Sequence, residues 1–489
     1  MYFTTKDLEP EYNNSSAFKI ALFALNAAAG SLYLVLMEYV SYYVNGIVGF
    51  AVVFTSVLLT CLRVFDGLID PLVGFFIDRT HGRFGKFRPF MLSGNIMMAV
   101  SVLLMYNATH RIPSILRFPF FVLVYVIYVF GFTFQLIVAK SGQTVMTDNP
   151  KMRPLTTYFD SLFTTSSYGG LSLYTSVYLI PKYGSFKNPA LFREYSITVA
   201  AISAICTILA IIGISDKDRP EYYGGIEPSK DKVKISDYKD VILHNKPMRL
   251  LIVAASINKF SSTVYNNITV GVIIFGIMMQ NYSMQGEIGL ITMIPNLIIV
   301  TVGVKVAQKF GQKKSFFIFM HLCNIFQFIM LLFFAFADVR GISFTNLTVS
   351  TLAYFLLYIF LNGTKSVSGN IVVPMLADCS DYEIIRSGRY VPGFMGALFS
   401  LVDQTVSAFA TLFVGLSVTI IGFGKTLPQV DTPVSHKLKF VGVFCYCAVP
   451  LICGLISLAI MKNYALDKKK MSEIIQAKRK HILKEFRKK

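Results

Sequence analysis

Tryptophan is absent, and charged residues make up only 15% of the 489-residue chain. A soluble protein of this length carries roughly 25% charged residues. The shortfall excludes a string of soluble domains, and it excludes disordered or collagen-like chains as well. Acidic residues are the scarcer sign, 27 against 46 Lys and Arg. Cysteine is sparse. Cys61, Cys206, Cys323, Cys445, Cys447 and Cys453 all lie inside apolar stretches, which argues against a disulfide framework. No CxxC or Cys/His metal spacing occurs, and no Walker loop, nucleophile elbow or metal-ligand cluster, so the chain does not read as an enzyme. Met1 to Ser16 is polar and acidic and lacks the basic-then-apolar order of a cleaved signal.

What is present in quantity is apolar. Hydrophobic residues reach 54% and mean hydropathy is +0.57. A membrane-spanning helix needs about 20 mostly apolar residues. Twelve segments qualify: 18–44, 47–77, 89–108, 118–146, 155–182, 194–214, 248–279, 286–310, 315–337, 346–375, 392–424 and 439–462. The expected fold class is an all-α membrane protein. Gly169-Gly170, Pro295 and Pro374 are the expected bends. With both termini in the cytoplasm, the cytoplasmic segments hold 32 Lys and Arg and the outer loops nine. The positive-inside rule then fixes the orientation, and the +19 net charge needs no nucleic acid to explain it.

The loop Ser215 to Pro247 divides the chain into a six-helix half over 18–214 and another over 248–462, with a cytoplasmic segment 1–17 before them. The tail from 463 reads as a basic cytoplasmic helix lying against anionic lipid, with Ile474, Ile475, Ile482, Leu483 and Phe486 apolar. The halves share a repeat. Gly74-x3-Asp78-Arg79-x2-Gly82-Arg83-x-Gly85-Lys86 follows the second segment, and Gly303-x3-Ala307-Gln308-Lys309-Phe310-Gly311-Gln312-Lys313-Lys314 follows the eighth. Repeated halves with a site near the membrane midplane are the pattern of secondary transporters.

Charge inside a membrane span costs at least about 2.5–3.5 kcal/mol and needs a partner or a task. Arg63, Lys140, Lys259 and Lys365 are the basic residues so placed, and Glu38, Asp66, Asp70, Asp160 and Asp403 the acidic ones. Asp66 and Asp70 stand four apart, on one face of a helix. Two carboxylates at that spacing repel unless a positive guest separates them, and oxygen ligands suit Na+, Li+ or a proton. Arg63, three residues earlier, is the static alternative. Pro71 frees the carbonyl of Gly67, a further possible ligand.

Arg63-x2-Asp66-x3-Asp70-Pro71-x2-Gly74-x3-Asp78, followed by Gly82-Arg83-x-Gly85-Lys86-x-Arg88-Pro89, resembles the glycoside–pentoside–hexuronide:cation symporter family, the melibiose-permease-like branch of the major facilitator superfamily. Thr147-Asp148-Asn149-Pro150 resembles that family's loop after helix 4, and Pro374-Met375-Leu376-Ala377-Asp378-Cys379-Ser380-Asp381-Tyr382-Glu383 its loop after helix 10. The resemblance implies twelve helices in two halves and a secondary transporter that imports a sugar or glycoside with H+ or Na+. It implies no cofactor. Asp66, Asp70 and Thr133 would form the cation site. Lys140, Asp160, Asp403, Gln404 and Lys365 are the substrate-site candidates, although Leu136, Lys140, Asp160-Ser161 and Gln404 depart from the melibiose-type pattern.

Lys140 has two readings: a partner for a substrate carboxylate, as on a hexuronide, or an ion pair with Asp160. Lys259 and Lys365 have Asp403 or Glu38 as possible partners. Asp78, Arg83, Lys86 and Arg88 read as cytoplasmic latch residues, with Asp378, Asp381, Glu383 and Arg389 as their counterparts. The expected setting is a bacterial inner membrane, the expected state a monomer, and the expected partners a small solute, a monovalent cation and the bilayer. With no ATP site, work must come from an ion gradient. Two alternatives remain: a cation-coupled carrier of a non-sugar solute, and a ligand sensor without flux.

Overall fold

The computed structural model describes residues 15–79, 84–147, 152–219, 244–387, 392–474 and 476. The architecture is helical throughout, and no β-strand occurs among the described residues. In chain order the helices are α1 (Ala17–Glu38), α2 (Val52–Arg79), α3 (Arg88–Ala108), α4 (Ser114–Met146), α5 (Arg153–Leu173) and α6 (Pro189–Ile214). There follow α7 (Lys246–Tyr265), α8 (Met293–Phe310), α9 (Gln312–Phe336), α10 (Val349–Asn370), α11 (Pro392–Ile420) and α12, which begins at His436–Val443 and ends at Val449–Met461. Each of the twelve apolar segments falls on one of them. Among the described residues, eight helices are long and apolar enough to cross a bilayer, and nine if α7 and its bent continuation are one span. The three that fall short are α2, α5 and α10. These carry Asp66 and Asp70, Asp160, and Lys365.

Helix breaks follow the prolines. A proline removes a donor to the carbonyl four residues earlier. Pro295 lies four residues beyond Ile291, the end of the short helix Met284–Ile291 that precedes α8. Pro374 lies four beyond Asn370, the end of α10, and the chain resumes as Val372–Ser387. Pro181 and Pro450 stand one turn after Val177 and Tyr446, inside the π-helical stretches Tyr174–Leu179 and Phe444–Ala448. The sharpest bend was not read from the sequence: 47° between α7 and its continuation Ile268–Met278. No proline causes it. Asn267 caps the new helix by accepting from the Thr269 N–H at 3.0 Å.

Packing divides the chain into two compact units. One comprises 1–49 and 68–230, the other 50–67 and 231–489, so the first half of α2 belongs with the second unit. There α2 runs along α11 in the opposite direction. Ser56 lies against Gly415, Thr60 donates to the Ala408 carbonyl at 3.1 Å, and Arg63 donates to Thr411 at 2.9 Å. Next along that face is Gly67, where a Cβ would run into Gln404 Oε1. The spacing of these four residues makes one helical stripe of small and polar groups, the kind that lets helices approach closely. The second unit's core packs Met248, Leu251, Phe316, Phe319, Met375 and Met461 from α7, α9, α12 and the segment after α10.

The internal repeat is visible within each unit. The chain after α1 runs through the short helix Val40–Tyr43 into a π-helical turn, Val44–Val48, and α7's continuation ends in another, Val272–Met278. Gly85 and Gly311 each precede the next helix with a positive φ, 90° and 86°. The structural counterpart of Gly311 is thus Gly85, three residues beyond the Gly82 that simple offset pairs with it; Gly82 itself lies outside the described residues. Each glycine receives the chain that follows the last helix of its own unit. A Cβ at Gly85 would meet the Asp218 carbonyl oxygen at 2.7 Å, and one at Gly311 would meet Lys468 Cβ at 2.8 Å.

Candidate functional site

The charged turn of α2 begins with Arg63. Its guanidinium donates to Thr411 of α11, so the static Arg63–Asp66 pair is not formed. The reason is register: Arg63 sits on the α11-facing stripe and Asp66 is off it. Asp66 is half-buried with its Oδ1 fully buried. Asp70 follows one helical turn later, and its side chain lies outside the described residues. Thr133 is completely buried in α4.

Of the substrate-site candidates, Lys140 and Asp160 do not meet. Among the described residues Lys140 is exposed at the end of α4 with no ion-pair partner. Asp160 accepts instead from the Gln143 side chain, whose Oε1 accepts from Thr156 at 3.3 Å. Gln143, three residues beyond Lys140, is the α4 side chain that reaches Asp160, so the expected salt bridge is replaced by an amide–carboxylate contact.

Asp403 and Lys365 do come together, around a cavity of about 320 Å³ within the second unit. Asp403 pairs with Lys259 at 3.0 Å, which decides between its two possible lysines. The second lysine, Lys365, keeps a buried ammonium with no hydrogen-bond partner. It rests 3.4 Å from the centre of the Tyr265 ring. That ring is itself stacked on Tyr446 at 4.4 Å, and the two hydroxyls share a hydrogen bond of 2.9 Å. A cation–π contact returns about 0.5–2 kcal/mol. Burying an ion costs several. The contact holds the ammonium in place without supplying its counter-charge.

Three further cavity residues escaped the sequence reading. Asn258 and Asn324 each bury an amide nitrogen without an acceptor, and Gln327 buries an oxygen without a donor. Gln327's orientation is fixed because its nitrogen donates to the Tyr446 carbonyl at 2.9 Å. A signal existed: Asn324 and Gln327 are three apart inside the otherwise apolar α9, on one face. His321, on the same helix, lies instead on an exposed face, 6.3 Å from the Phe317 ring. Gln404, next to Asp403, lies against Gly67 of α2 and buries its Oε1.

At the latch residues the described partner is Asp218, which the sequence reading passed over. Its fully buried carboxylate accepts from the backbone N–H of Lys86, Phe87 and Arg88 at 2.9–3.1 Å and from Arg88 Nε at 3.2 Å. It therefore caps α3 from the far end of its unit. Asp78's side chain, Arg83 and Arg389 lie outside the described residues. Glu383 is buried and takes two hydrogen bonds from Arg386, at 3.0 and 2.7 Å, with Asn245 and Ser387 completing its shell.

Asp378 and Asp381 stand on the segment after α10, outside the apolar spans. Burial first, and Asp381 second, push the Asp378 carboxyl from its ordinary 3.8 up to about 6. The folded protein thus holds this proton more tightly than the unfolded chain. Its contribution is most favourable below pH 4 and declines as pH rises to about 6. Asp378→Asn is expected to remove that loss. Allowing for solvent screening, the gain is roughly 1 kcal/mol at pH 7.5. Melting curves should show a higher transition for the variant at pH 7.5 and no difference at pH 4.

Known proteins share this architecture. The family described as MFS/sugar transport protein matches residues 23–468. The chain is 23% identical to a Bacillus subtilis (strain 168) protein described as the uncharacterized symporter YnaJ, across 92% of this chain and 91% of that one. It is 20% identical to the lactose permease of Leuconostoc lactis, across 86% of this chain and 63% of that longer protein. Among solved structures it superposes on a D-xylose-proton symporter with TM-score 0.62 at 13% identity, covering 93% and 98% of the two chains. A point mutant of the nucleoside transporter NupG gives 0.63 at 12%, covering 91% and 99%. These likenesses show the major facilitator fold. The chain is a multi-pass membrane transporter, not an enzyme, and it belongs to the MFS/sugar transport protein family, as its resemblance to glycoside–pentoside–hexuronide:cation symporters implied.

Proposed function

We propose that this chain imports a sugar or glycoside by symport with one monovalent cation, H+ or Na+, through alternating access. One observation carries the reading: Asp66 and Asp70 occupy successive turns of α2, a carboxylate pair whose mutual repulsion a monovalent cation would cancel. Thr133 contributes an oxygen to that site. The symporter relatives are consistent with cation coupling, and the lactose permease and D-xylose-proton symporter with a sugar as cargo.

Cation binding cancels the repulsion between the two carboxylates and favours the state that takes up solute. By linkage, solute and cation raise each other's affinity by the same factor. The loop residues Asp78, Arg83, Lys86, Arg88, Asp378, Asp381 and Arg389 act as latches on the cytoplasmic side, with Lys86 and Arg88 held in place by Asp218. The protein works as a monomer in a bacterial inner membrane with both termini in the cytoplasm, as its loop charges favour.

The test is uptake into vesicles under an imposed proton or sodium gradient, across a panel of neutral and acidic glycosides. Accumulation above equilibrium should appear with one gradient and vanish when an ionophore collapses it. Uptake that merely equilibrates under both gradients would refute symport.

A further inference from the structure

We infer that the groove between α8 and the end of α10 holds one acyl chain of an anionic phospholipid, whose phosphate is met by the lysines of the α8–α9 turn. The site lies wholly within the second unit and is independent of the symport reading. The groove has a volume of about 240 Å³. Val300, Gly303, Val304 and Ala307 of α8 form one wall, and Val367 of α10 and Ile371, its C-cap, form the other. From Val300 to Gln308 the α8 wall runs about 12 Å along the helix axis. At Gly303 the two helices touch, since a Cβ there would run into Val367. Only 6% of the most apolar stretch of α8 is buried, the smallest share among the eight spanning helices. Leu297, Ile298 and Val304 are all more than half exposed on it. Apolar surface of that extent on a membrane span is for hydrocarbon to cover.

The other end of the groove is polar and then basic. Gln308 and Gln312 line it, and Lys305, Lys309, Lys313 and Lys314 stand beside them in the chain. Lys305, Lys309 and Lys314 are exposed and Lys313 is half-buried. Among the described residues none of the four is in an ion pair, and no acidic residue occurs between Glu287 and Asp338. Lys468 adds a fifth lysine. Its ammonium donates to the Lys309 carbonyl at 2.8 Å and draws the start of the basic tail against the turn. An apolar wall that ends in a basic mouth suits an amphiphile with an anionic head. A zwitterionic lipid matches the wall but brings no net charge to the lysines. A soluble phosphate matches the lysines but leaves the wall bare. The first half does not supply the missing charge from its corresponding turn, which carries Arg79, Arg83, Lys86 and Arg88 against Asp78. On the orientation that the loop charges favour, this mouth lies at the cytoplasmic leaflet, where basic pockets between spans take anionic headgroups through charge-assisted hydrogen bonds.

The experiment is native mass spectrometry of the full-length protein in a neutral detergent, titrated with dioleoyl phosphatidylglycerol or dioleoyl phosphatidylcholine. The wild type should bind its first phosphatidylglycerol at least about tenfold more tightly than its first phosphatidylcholine. Lys313→Gln with Lys314→Gln should reduce that preference to about twofold or less. Lys246→Gln with Arg249→Gln removes the same charge from exposed positions at the start of α7, and should leave the preference within about twofold of wild type. Val304→Phe fills the groove from an exposed position and leaves every lysine in place, so it should weaken phosphatidylglycerol at least about fivefold. Equal affinities for the two lipids, or equal losses in the two charge variants, would reduce the site to diffuse attraction and overturn it. Full binding in Val304→Phe would remove the acyl chain from the groove, and displacement of the lipid by equimolar inorganic phosphate would give the lysines to a soluble anion. Either result overturns the assignment, as does a wild type that binds no phosphatidylglycerol, which would leave the groove to another part of the chain. The wild-type comparison needs no variant, so a variant that failed to fold would not rescue the idea.

Discussion

Asp66→Cys is expected to abolish gradient-driven accumulation of solute, at least a hundredfold below wild type, while the protein still folds and inserts. The argument is electrostatic. Asp66 and Asp70 are one turn apart on α2, and coupling requires that a cation bind where their charges converge. Removing one carboxylate leaves a single charge and a poorer set of oxygens, which no longer distinguishes the loaded state from the empty one. With no differential affinity for the cation, the gradient has nothing to act on. Folding should tolerate the change, because the nearby stripe that joins α2 to α11 is made by Ser56, Thr60, Arg63 and Gly67 rather than by Asp66. Uptake in energised and de-energised vesicles, alongside immunoblots of membrane content, measures it. Accumulation that persists in Asp66→Cys would remove this residue from the cation site.

Asp218→Ala is expected to destabilise the protein by roughly 3–5 kcal/mol, the usual cost of removing one member of a buried charged pair. The carboxylate is fully buried and satisfies three backbone donors at the start of α3 together with Arg88 Nε. Its loss leaves those donors without an acceptor in a space too tight for bulk water. Gly85 shows how tight: its φ of 90° and the nearby Asp218 carbonyl admit no side chain. Asp218→Asn keeps the shape and part of the hydrogen bonding, so a loss of roughly 1–2 kcal/mol is expected. Thermal unfolding in detergent should lower the transition by about 3–5 °C for Ala and clearly less for Asn. A transition within a degree of wild type for Asp218→Ala would show that the cap does not hold this turn.

Much of this architecture was legible in the sequence because lipid imposes simple rules. Every apolar run falls on a helix among the described residues, eight or nine of them long and apolar enough to span, and Pro295 and Pro374 marked two breaks through the carbonyls they leave unpaired. Intramembrane charge pointed to Asp403 and Lys365, which meet at one cavity. Partner choice was less legible, since it depends on rotation and register that periodicity does not fix. Arg63 went to Thr411, and Asp160 to Gln143. The cap at Asp218 was invisible for another reason. It joins residues more than a hundred positions apart and sits in a charged stretch that reads locally as a solvated loop. The 47° bend in α7 came from an asparagine cap rather than a proline, and so left no strong mark.

The most direct test of the account is ion movement on addition of solute to de-energised vesicles, followed with pH and sodium electrodes in unbuffered medium. Adding a transported glycoside should draw protons or sodium inward with wild-type protein, and should draw neither when Asp66 is replaced by cysteine. Solute that enters without any accompanying ion would contradict the idea that these carboxylates couple one flow to the other.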